Sequence, residues 1–549
     1  MRVYEAVSES LHRLGADTVF GLVGSGNFRL IDHLTRQCGV AYHGARHEAA
    51  AVAMADGYAR VSGKLGVCTV HQGPGVTNTL TALTEAVKAR TPLLLLAGDT
   101  ATTALYQNLD VDQDAVVASV GAGVERLRNA NTATEDVSRA VRRARVERRP
   151  IVVSLPIDIQ EQDCQTTEHP TFVEYEDAAP RSSEEAILRV VDKLESSSRP
   201  AIIAGRGAVL AAARPQLEAL GDRIGAVFAT SMMAKGLFAG NPFDLGVSGG
   251  FASPLAARLL GEADVVLSFG ASLNTWTTKH GDLFAPTAEI VHCDLDPSAI
   301  GRVQPVTLGV VGDAAETAET LVEELARRDV SLGGFRTDAV RQDIEGFRWE
   351  DEFEGESTED TVDPRAALMT LEEILPKERT VAVDCGHFAG FAAMHLSVPD
   401  AAGFVFAEAF QAVGLGLGTG MGAAVARPDR LAVAVVGDGG LLMSLGELDA
   451  AIQLGVPLLI VIMNDAGYGA EVHHFRSLNL PTDLALLGEK DFAGIAAVLG
   501  AEGLTARSTA DLERVREWVE APSGTMVVDC KVNPRVEGEY LKEAFVAEA

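Results

Sequence analysis

Short apolar runs alternate with alanine-rich, helix-like segments along almost the whole chain. Each run has the length of a buried strand, and segments with helical periodicity, such as residues 48–61 and 77–89, separate the runs. The runs lie at residues 18–22, 66–70, 93–97, 151–154, 201–204, 265–269, 290–293, 380–384, 431–436, 458–463 and 525–528, and a further strand is expected at residues 40–43, before the helix that begins at residue 48. This pattern predicts an α/β fold with three doubly wound parallel-sheet domains, which bind ligands at the carboxyl ends of their strands.

Two polar, acidic and proline-containing stretches interrupt the alternation, at residues 159–185 and 346–364. A chain of 549 residues is also too long for a single hydrophobic core. We therefore expect three domains, at residues 1–165, 186–330 and 365–549.

Charge and hydropathy argue against several classes of partner. The chain has 46 Lys and Arg against 77 Asp and Glu, a net charge of -31 that repels nucleic acid. No apolar run approaches the roughly 20 residues of a membrane span, and the first residues predict an amphipathic helix rather than a signal peptide. Six cysteines without metal-ligand spacing are typical of reduced thiols. We expect a cytoplasmic protein with no nucleic-acid and no membrane partner.

Two aspartates follow consecutive predicted strands of the third block. Asp438 lies in the sequence GDGG and Asp465 in the sequence NDAGYG, one strand-helix-strand crossover later. Such a crossover places both carboxylates at the same edge of a parallel sheet. Mg2+ prefers carboxylate and carbonyl oxygens together with phosphate and water, and glycine turns let main-chain N–H groups approach phosphates. The segment predicts a magnesium and phosphate site; two unrelated glycine turns with capping aspartates are the alternative.

With Glu447 and Pro457 between them, these motifs resemble the thiamine-diphosphate signature of the acetolactate synthase and 2-oxo acid decarboxylase superfamily. The resemblance covers nearly the full chain and implies that thiamine diphosphate and Mg2+ bind here. It implies that Asp438, Asp465 and the main-chain carbonyl of Gly467 hold the metal. The residues expected to contact the cofactor are Gly386, His387, Phe388, Val413, Gly437, Asp438, Gly439, Gly440, Asp465, Gly467, Tyr468 and Gly469.

Two positions of this signature depart from the superfamily. Asp465 stands where the superfamily usually has Asn, and its extra negative charge beside a diphosphate predicts a stricter dependence on Mg2+. Val413 falls at the bulky apolar position that bends the cofactor, although Val is small for that task; a core valine is the alternative.

The segment HEAAAVAMADGYAR at 47–60, followed by HQGPGVTN at 71–78, resembles the superfamily's pyrimidine-binding domain. Glu48 falls on the catalytic glutamate of that domain, which shares a proton with the cofactor's aminopyrimidine in an apolar setting. A solvated glutamate in the first turn of a helix is the alternative. In this superfamily the glutamate and the diphosphate site come from different subunits, so we expect a homodimer or a dimer of dimers.

The resemblance also assigns roles to the three domains. Residues 1–165 correspond to the pyrimidine-binding domain, 186–330 to a central Rossmann-like domain, and 365–549 to the diphosphate- and Mg2+-binding domain. The central block carries two glycine turns, GRG at 205–207 and GAS at 270–272, where relatives hold FAD or ADP. A bare GxG is weak evidence for nucleotide binding. The second turn also lacks the arginine that the superfamily's version carries, so FAD or ADP is possible but not favoured.

Three further residues are candidates for the substrate side of the site. Ser25 and His71 lie where benzoylformate decarboxylase carries its active-site serine and histidine, and His71 would suit a proton shuttle because histidine titrates near neutrality. Gln113 falls near the active-site Gln and Glu segment of the acetolactate synthase branch. With Glu48, these residues form the expected catalytic set.

We therefore expect an acetolactate synthase-like carboligase, a transferase that decarboxylates a 2-oxo acid and joins the product to a second carbonyl. A 2-oxo acid decarboxylase of the benzoylformate decarboxylase type, a lyase releasing an aldehyde, stays open. A dinucleotide-dependent oxidoreductase fits poorly, because the glycines at 414–422 do not have the GxGxxG offsets. A non-catalytic cofactor-binding homologue is disfavoured, since it would have no physical need to retain Glu48.

Overall fold

A computed structural model of the protein describes residues 1–104, 106–164 and 179–542. Its named strands form three six-stranded sheets in which neighbouring strands pair in parallel. Helices cover the sheets, as expected for strands that read as continuous apolar runs. The prediction of an α/β fold with three doubly wound parallel sheets is confirmed.

The first sheet has the strand order β2-β1-β3-β4-β6-β5. Its strands are β1 (Thr18–Gly21), β2 (Ala41–Gly44), β3 (Gly66–Val70), β4 (Leu93–Asp99), β5 (Gly123–Arg126) and β6 (Pro150–Pro156). The helices of this block are α1 (Val3–Arg13), α2 (Phe28–Arg36), α3 (Glu48–Ser62), α4 (Pro74–Thr77), α5 (Leu80–Lys88), α6 (Gln113–Ser119), α7 (Ala133–Glu147) and α8 (Ile157–Gln160).

The middle sheet has the order β12-β11-β10-β7-β8-β9. Its strands are β7 (Pro200–Ala204), β8 (Val227–Thr230), β9 (Asp244–Val247), β10 (Val265–Phe269), β11 (Glu289–Asp294) and β12 (Leu308–Val311). Its helices are α9 (Glu184–Glu195), α10 (Arg206–Leu210), α11 (Arg214–Ile224), α12 (Pro254–Gly261), α13 (Ala314–Arg327) and α14 (Asp338–Gly346).

The third sheet, of order β14-β13-β15-β16-β18-β17, repeats the strand order of the first. Its strands are β13 (Arg379–Val383), β14 (Phe404–Phe406), β15 (Leu431–Gly437), β16 (Leu458–Asn464), β17 (Glu502–Ala506) and β18 (Thr525–Lys531). Its helices are α15 (Pro364–Ile374), α16 (Phe388–His395), α17 (Gly416–Ala426), α18 (Asp438–Met443), α19 (Glu447–Gln453), α20 (Gly469–Ser477), α21 (Phe492–Leu499) and α22 (Glu513–Val519). The chain changes direction along this sheet between β13 and β15, the position at which open α/β sheets bind ligands.

The first and third sheets share a hydrophobic core through α3 and α17. Glycines allow these two helices to lie unusually close together. A Cβ on Gly57 would overlap with the carbonyl of Thr419, and a Cβ on Gly422 would overlap with the carbonyl of Met54. The helix that begins with Glu48 is therefore packed directly against the third domain, the one expected to bind the diphosphate.

Several local expectations differ from the structure. The helix expected at 77–89 is α5 and begins three residues later, at Leu80; the short helix α4 precedes it, and Asn78 and Thr79 form the turn between them. The short strands β5, β8, β9, β12, β14 and β17 were not predicted. Of these, β5, β9 and β17 are only partly buried and contain no continuous apolar run. Part of the predicted linker at 159–185 lies outside the described residues. Within the described ranges, no helix combines the length and apolar character needed to cross a membrane.

Candidate active site

Asp438 and Asp465, the acid pair, lie at the same edge of the third sheet. β15 and β16 pair in parallel up to Gly437 and Met463, and Asp438 and Asp465 are the residues that directly follow these two strands. Both side chains are buried, with 1% and 8% of their surfaces exposed. The crossover predicted from the sequence thus brings two carboxyl groups together below the surface.

The acid pair is electrostatically costly without a cation. Burial raises the pKa of Asp438, and burial together with the neighbouring Asp438 carboxylate raises the pKa of Asp465. With both groups ionised, no donor among the described residues reaches Oδ2 of Asp438. A buried acceptor without a donor beside a second carboxylate is the environment that a hard divalent cation would stabilise.

Within the described residues, Asp438 and Asp465 are the two carboxylates expected as side-chain ligands for that cation. No group of three or more His, Cys, Asp or Glu side chains with metal-binding geometry occurs in the described part of the chain. A metal held here would therefore complete its coordination with main-chain carbonyl, phosphate and water oxygens, which is the usual pattern for Mg2+. Gly467, the expected carbonyl ligand, is close enough for its N–H to donate to the carboxylate of Asp465.

Asn464, immediately before Asp465, is engaged elsewhere. Its Nδ2 donates to Oδ1 of Asp529 at 2.8 Å, and its Oδ1 accepts the N–H of Ala466 at 3.1 Å. The side-chain amide therefore braces the turn, with its nitrogen and its oxygen each bonded within the protein. Of this dipeptide, Asp465 is the residue whose side chain belongs to the acid pair.

His387 lies beside the acid pair as a neutral imidazole. Its Nε2 is 3.7 Å from Oδ2 of Asp465. Burial lowers the pKa of His387 to about 3, so this contact is not an ion pair at neutral pH. The hydroxyl of Tyr540 donates to the carbonyl of His387 and fixes the backbone at this point.

Glycines shape the space around the acid pair. A Cβ on Gly469 would overlap with Oδ2 of Asp465 and with the ring of His387, and a Cβ on Gly439 would lie 2.7 Å from Cε1 of Tyr468. A Cβ on Gly440 would lie 3.3 Å from Cγ1 of Val413. The backbone can approach a ligand here only because these positions lack side chains.

Phe388 underlies this cradle rather than lining it. Its ring is buried in a core cluster with the apolar strands of the third sheet. Cβ atoms built on Gly386 and Gly437 would lie 2.5 Å and 2.8 Å from Cε1 of Phe388. The ring therefore fixes the distance between the turns after β13 and β15.

Glu48 is the first residue of α3 and is partly exposed. Nδ2 of Asn78, an exposed side chain, donates to its Oε2 at 3.0 Å. No hydrogen bond to Oε1 was found among the described residues, so Glu48 has one oriented and one available carboxylate oxygen.

His71 and the turn that carries Ser25 lie next to this glutamate. The N–H of Gly26 donates to Nδ1 of His71 at 3.0 Å, which places the proton of a neutral imidazole on Nε2. Burial lowers the pKa of His71, and the charge of Glu48 opposes that shift. Ser25 is exposed at the tip of the turn. Three residues of the expected catalytic set therefore lie in one region.

Gln113 braces this region from behind. It is 2% exposed, its Oε1 accepts the N–H of Gly73 at 2.8 Å, and its Nε2 donates to the carbonyl of Gly98 at 3.1 Å. Gly73 has a φ of 62° and packs against the carbonyl of Leu109, so its turn tolerates no side chain. Both the oxygen and the nitrogen of the Gln113 amide thus hold the HQGPG turn against the end of β4.

Sequence reasoning missed Asp384, which follows β13. Its carboxylate accepts the N–H groups of Gly414, Leu415 and Gly416 at 2.9 to 3.1 Å and so holds the segment that carries Val413. Burial raises the pKa of Asp384 to about 6 despite these bonds. Its position at the carboxyl end of a predicted strand was a usable signal.

The two glycine turns of the middle domain pack on each other. The N–H of Gly205 donates to the carbonyl of Phe269, and the N–H of Gly207 donates to the carbonyl of Gly270, both at 2.9 Å. These two main-chain donors are therefore engaged within the protein and are not available to a nucleotide diphosphate.

Comparison with known families agrees with this geometry. Residues 1–116 match the model of the thiamine pyrophosphate enzyme N-terminal TPP-binding domain, residues 187–321 match the central domain, and residues 384–530 match the C-terminal TPP-binding domain. Three parallel α/β sheets with a carboxylate pair at one sheet edge thus define a cofactor-binding enzyme. The chain belongs to the thiamine pyrophosphate enzyme superfamily that includes acetolactate synthase.

The chain is similar to relatives with two different names. A sulfoacetaldehyde acetyltransferase of Rhodobacter capsulatus is 29% identical over 99% of this chain and 96% of the relative. The acetolactate synthase large subunit of Parasynechococcus marenigrum is 28% identical over 95% of this chain and 86% of the relative. The large subunit of acetolactate synthase isozyme 3 of Escherichia coli is 28% identical over 85% of this chain and 82% of the relative. These names agree with a transferase but do not select one substrate.

Proposed function

We propose that this protein is a thiamine-diphosphate- and Mg2+-dependent carboligase that acts on a 2-oxo acid in the manner of acetolactate synthase. The observation that carries the proposal is the buried acid pair, whose Asp438 oxygen lacks a donor at the ligand-binding edge of the third sheet. Relatives named acetolactate synthase and sulfoacetaldehyde acetyltransferase favour a reaction that transfers a carbon unit over one that only releases it.

The third domain would hold the diphosphate end of the cofactor. Asp438, Asp465 and the carbonyl of Gly467 are the proposed Mg2+ ligands, and His387 is a neutral donor beside them. The glycine turns after β13, β15 and β16 allow main-chain N–H groups to reach phosphate oxygens. Val413, which packs near Gly440, would support the bend of the cofactor.

The first domain would supply the proton chemistry. When bound, thiamine diphosphate provides a thiazolium ring that accepts the electron pair of the bond being broken. Glu48 would exchange a proton with the cofactor's pyrimidine ring through its available oxygen, while Asn78 orients the other oxygen. The partner subunit would complete the site, so the protein would act as a homodimer or a dimer of dimers.

A simple decarboxylase is the second candidate, and His71 favours it. Its neutral tautomer carries a proton on Nε2 near Glu48, and a proton donor in this position would convert a decarboxylated substrate to an aldehyde. Ser25, exposed on the adjoining turn, would bind the substrate carboxylate or carbonyl.

A panel of possible substrates distinguishes the carboligase from the decarboxylase. The purified protein is incubated with thiamine diphosphate, Mg2+ and individual 2-oxo acids, with and without a second carbonyl compound, and products are identified by mass. Sulfoacetaldehyde belongs in the panel because of the relatives named for it. Acyloins or 2-hydroxy-3-oxo acids support the carboligase, aldehydes alone support the decarboxylase, and no turnover of any member would contradict both.

Substitution of Glu48 tests the proposed proton transfer directly. Glu48→Gln keeps the shape of the side chain but removes its acidity, and the expected loss in kcat is on the order of 10² to 10⁴. Glu135→Gln is the matched control, because Glu135 is also an acidic residue in the first turn of a helix, α7, and is exposed. Near-normal turnover of Glu48→Gln would remove Glu48 from the mechanism.

A further inference from the structure

We propose that Glu447, on α19 of the third domain, is a positioning residue for Glu48 on α3 of the first domain. The proposal rests on the proposed role of Glu48. Glu447 contacts the backbone at Arg46, two residues before Glu48, although Glu447 and Arg46 are 401 positions apart in the sequence. The main-chain N–H of Arg46 donates to both carboxylate oxygens of Glu447, at 3.0 Å and 3.2 Å. The N–H of His47 is a further main-chain donor to the same group.

The carboxylate of Glu447 is buried, with 1% of the residue exposed. Burying a charged group is costly unless hydrogen bonds replace its water, and here main-chain N–H groups provide that replacement. Burial raises the pKa of Glu447 to about 7, and the main-chain N–H groups of Arg46 and His47 oppose that shift because they favour the ionised form. Glu447 therefore holds the path of the backbone at Arg46 and His47, whatever side chains these positions carry.

This part of the backbone leads directly into the candidate catalytic residue. His47 is the N-cap of α3, with extended φ and ψ of -141° and 144°, and Glu48 is the first residue of the helix. The body of α3 is fixed by its packing against α17. The start of the helix is fixed by Glu447, so the direction in which Glu48 leaves the backbone depends on this buried carboxylate.

Glu447 also connects this loop to the acid pair. It lies on α19, which follows α18 after a short turn, and α18 begins with Asp438. Within one subunit, the segment that supplies a proposed metal ligand therefore also anchors the proposed activating glutamate, which would serve a site completed by the partner subunit.

The same helix provides a matched control. Oδ2 of Asp449 accepts hydrogen bonds from Nε and Nη2 of Arg46 at 2.7 Å and 2.6 Å, and both side chains are partly exposed. Asp449 therefore contacts the side chain of Arg46, whereas Glu447 contacts its backbone. Loss of Asp449 removes an exposed ion pair, which contributes little to stability, and leaves the backbone anchor intact.

Amide hydrogen exchange of the cofactor-free protein tests, independently of catalysis, whether Glu447 anchors the backbone at Arg46 and His47. We expect Glu447→Ala to accelerate exchange at least tenfold in a peptide covering residues 45–50, and Asp449→Asn to leave that peptide unchanged. Glu447→Gln, which keeps the shape and one acceptor oxygen, should lie between them and remains informative should Glu447→Ala fail to fold. Exchange in both Glu447 variants equal to that of the unsubstituted protein would overturn the proposal.

Steady-state kinetics at saturating thiamine diphosphate and Mg2+ complete the test. The anchor predicts that Glu447→Gln lowers kcat about tenfold or more with little change in KM, while Asp449→Asn keeps kcat. Equal losses in the two variants would contradict the assignment of Glu447 as a positioning residue. If Glu48→Gln remained fully active, the proposed function of Glu48 would fail, but faster exchange at residues 45–50 would still identify Glu447 as the backbone anchor.

Discussion

The side-chain amide of Asn78 donates a hydrogen bond to Oε2 of Glu48 at a distance of 3.0 Å. Asn78 lies in the turn between α4 and α5. This turn places the side-chain amide of Asn78 beside Glu48. The amide selects which carboxylate oxygen of Glu48 stays available for proton transfer.

Asn78→Ala should lower kcat about tenfold, because Glu48 loses the hydrogen bond that fixes its rotamer. Asn78→Asp should cost more, since a second carboxylate would repel Glu48. Steady-state kinetics at saturating cofactor provide the measurement, and Thr77→Ala, an exposed neighbouring position, is the control. Unchanged kcat in both Asn78 variants would show that Glu48 needs no orientation from this amide.

Asp465→Asn should make cofactor binding less dependent on Mg2+. The aspartate adds a negative charge beside the site where a diphosphate is proposed to bind, and the cation is needed to offset that repulsion. We expect the ratio of cofactor Kd values without and with Mg2+ to fall about tenfold or more in the variant. Calorimetric titration in EDTA and in Mg2+ measures this ratio, with Asp483→Asn as an exposed acidic control. Cofactor affinity of the unsubstituted protein that is independent of Mg2+ would contradict the prediction.

Gln113→Ala should lower the stability of the fold more than it lowers kcat. The substitution leaves the N–H of Gly73 and the carbonyl of Gly98 without their partner, and each unsatisfied buried group costs on the order of 1 to 3 kcal/mol. Differential scanning calorimetry should show a lower Tm than for Gln162→Ala, an exposed control. A large loss in kcat with an unchanged Tm would instead assign Gln113 a direct role in catalysis.

The sequence predicted the parts of the site that follow from chain connectivity. Asp438 and Asp465 each end a strongly apolar strand, and the length of one crossover is enough to place them at a common sheet edge. Glu48 was expected because residues 47–60 and the HQGPG turn resemble the superfamily's pyrimidine-binding domain. The residues alone would equally have suited a solvated glutamate in the first turn of a helix.

Contacts between domains were not predictable in the same way. Glu447 was noted in the sequence as part of the signature between Asp438 and Asp465, but only the packing of the first domain on the third shows that its carboxylate binds the backbone at Arg46. Gln113 was expected at the substrate because of its sequence neighbourhood, but the direction of its side chain depends on the turns at Gly73 and Gly98. Side-chain direction across a tertiary contact has no periodic signature in the sequence.

The buried histidine His395 predicts how the protein responds to acid. It is 5% exposed, and neither ring nitrogen has a hydrogen-bond partner in the described part of the chain. Burial lowers its pKa to about 4, with the positive charges of Arg365 and Lys235 acting in the same direction. Its ring packs edge-on against Trp349, with 4.8 Å between the ring centroids.

A histidine whose pKa is lower in the folded than in the unfolded state contributes stability above its unfolded pKa, about 6.5, and loses that contribution as the pH falls toward 4. The unfolded chain binds the proton first, so the free energy of unfolding should decrease by up to the order of 3 kcal/mol across this window because of His395 alone. Denaturant titrations at pH 7.5 and pH 5, followed by tryptophan fluorescence, measure the decrease. His395→Phe should reduce it, because the apolar ring has no proton to bind, whereas substitution of the exposed His12 by Gln should leave it unchanged. An identical decrease in the unsubstituted protein and in His395→Phe would mean that other groups control the acid response.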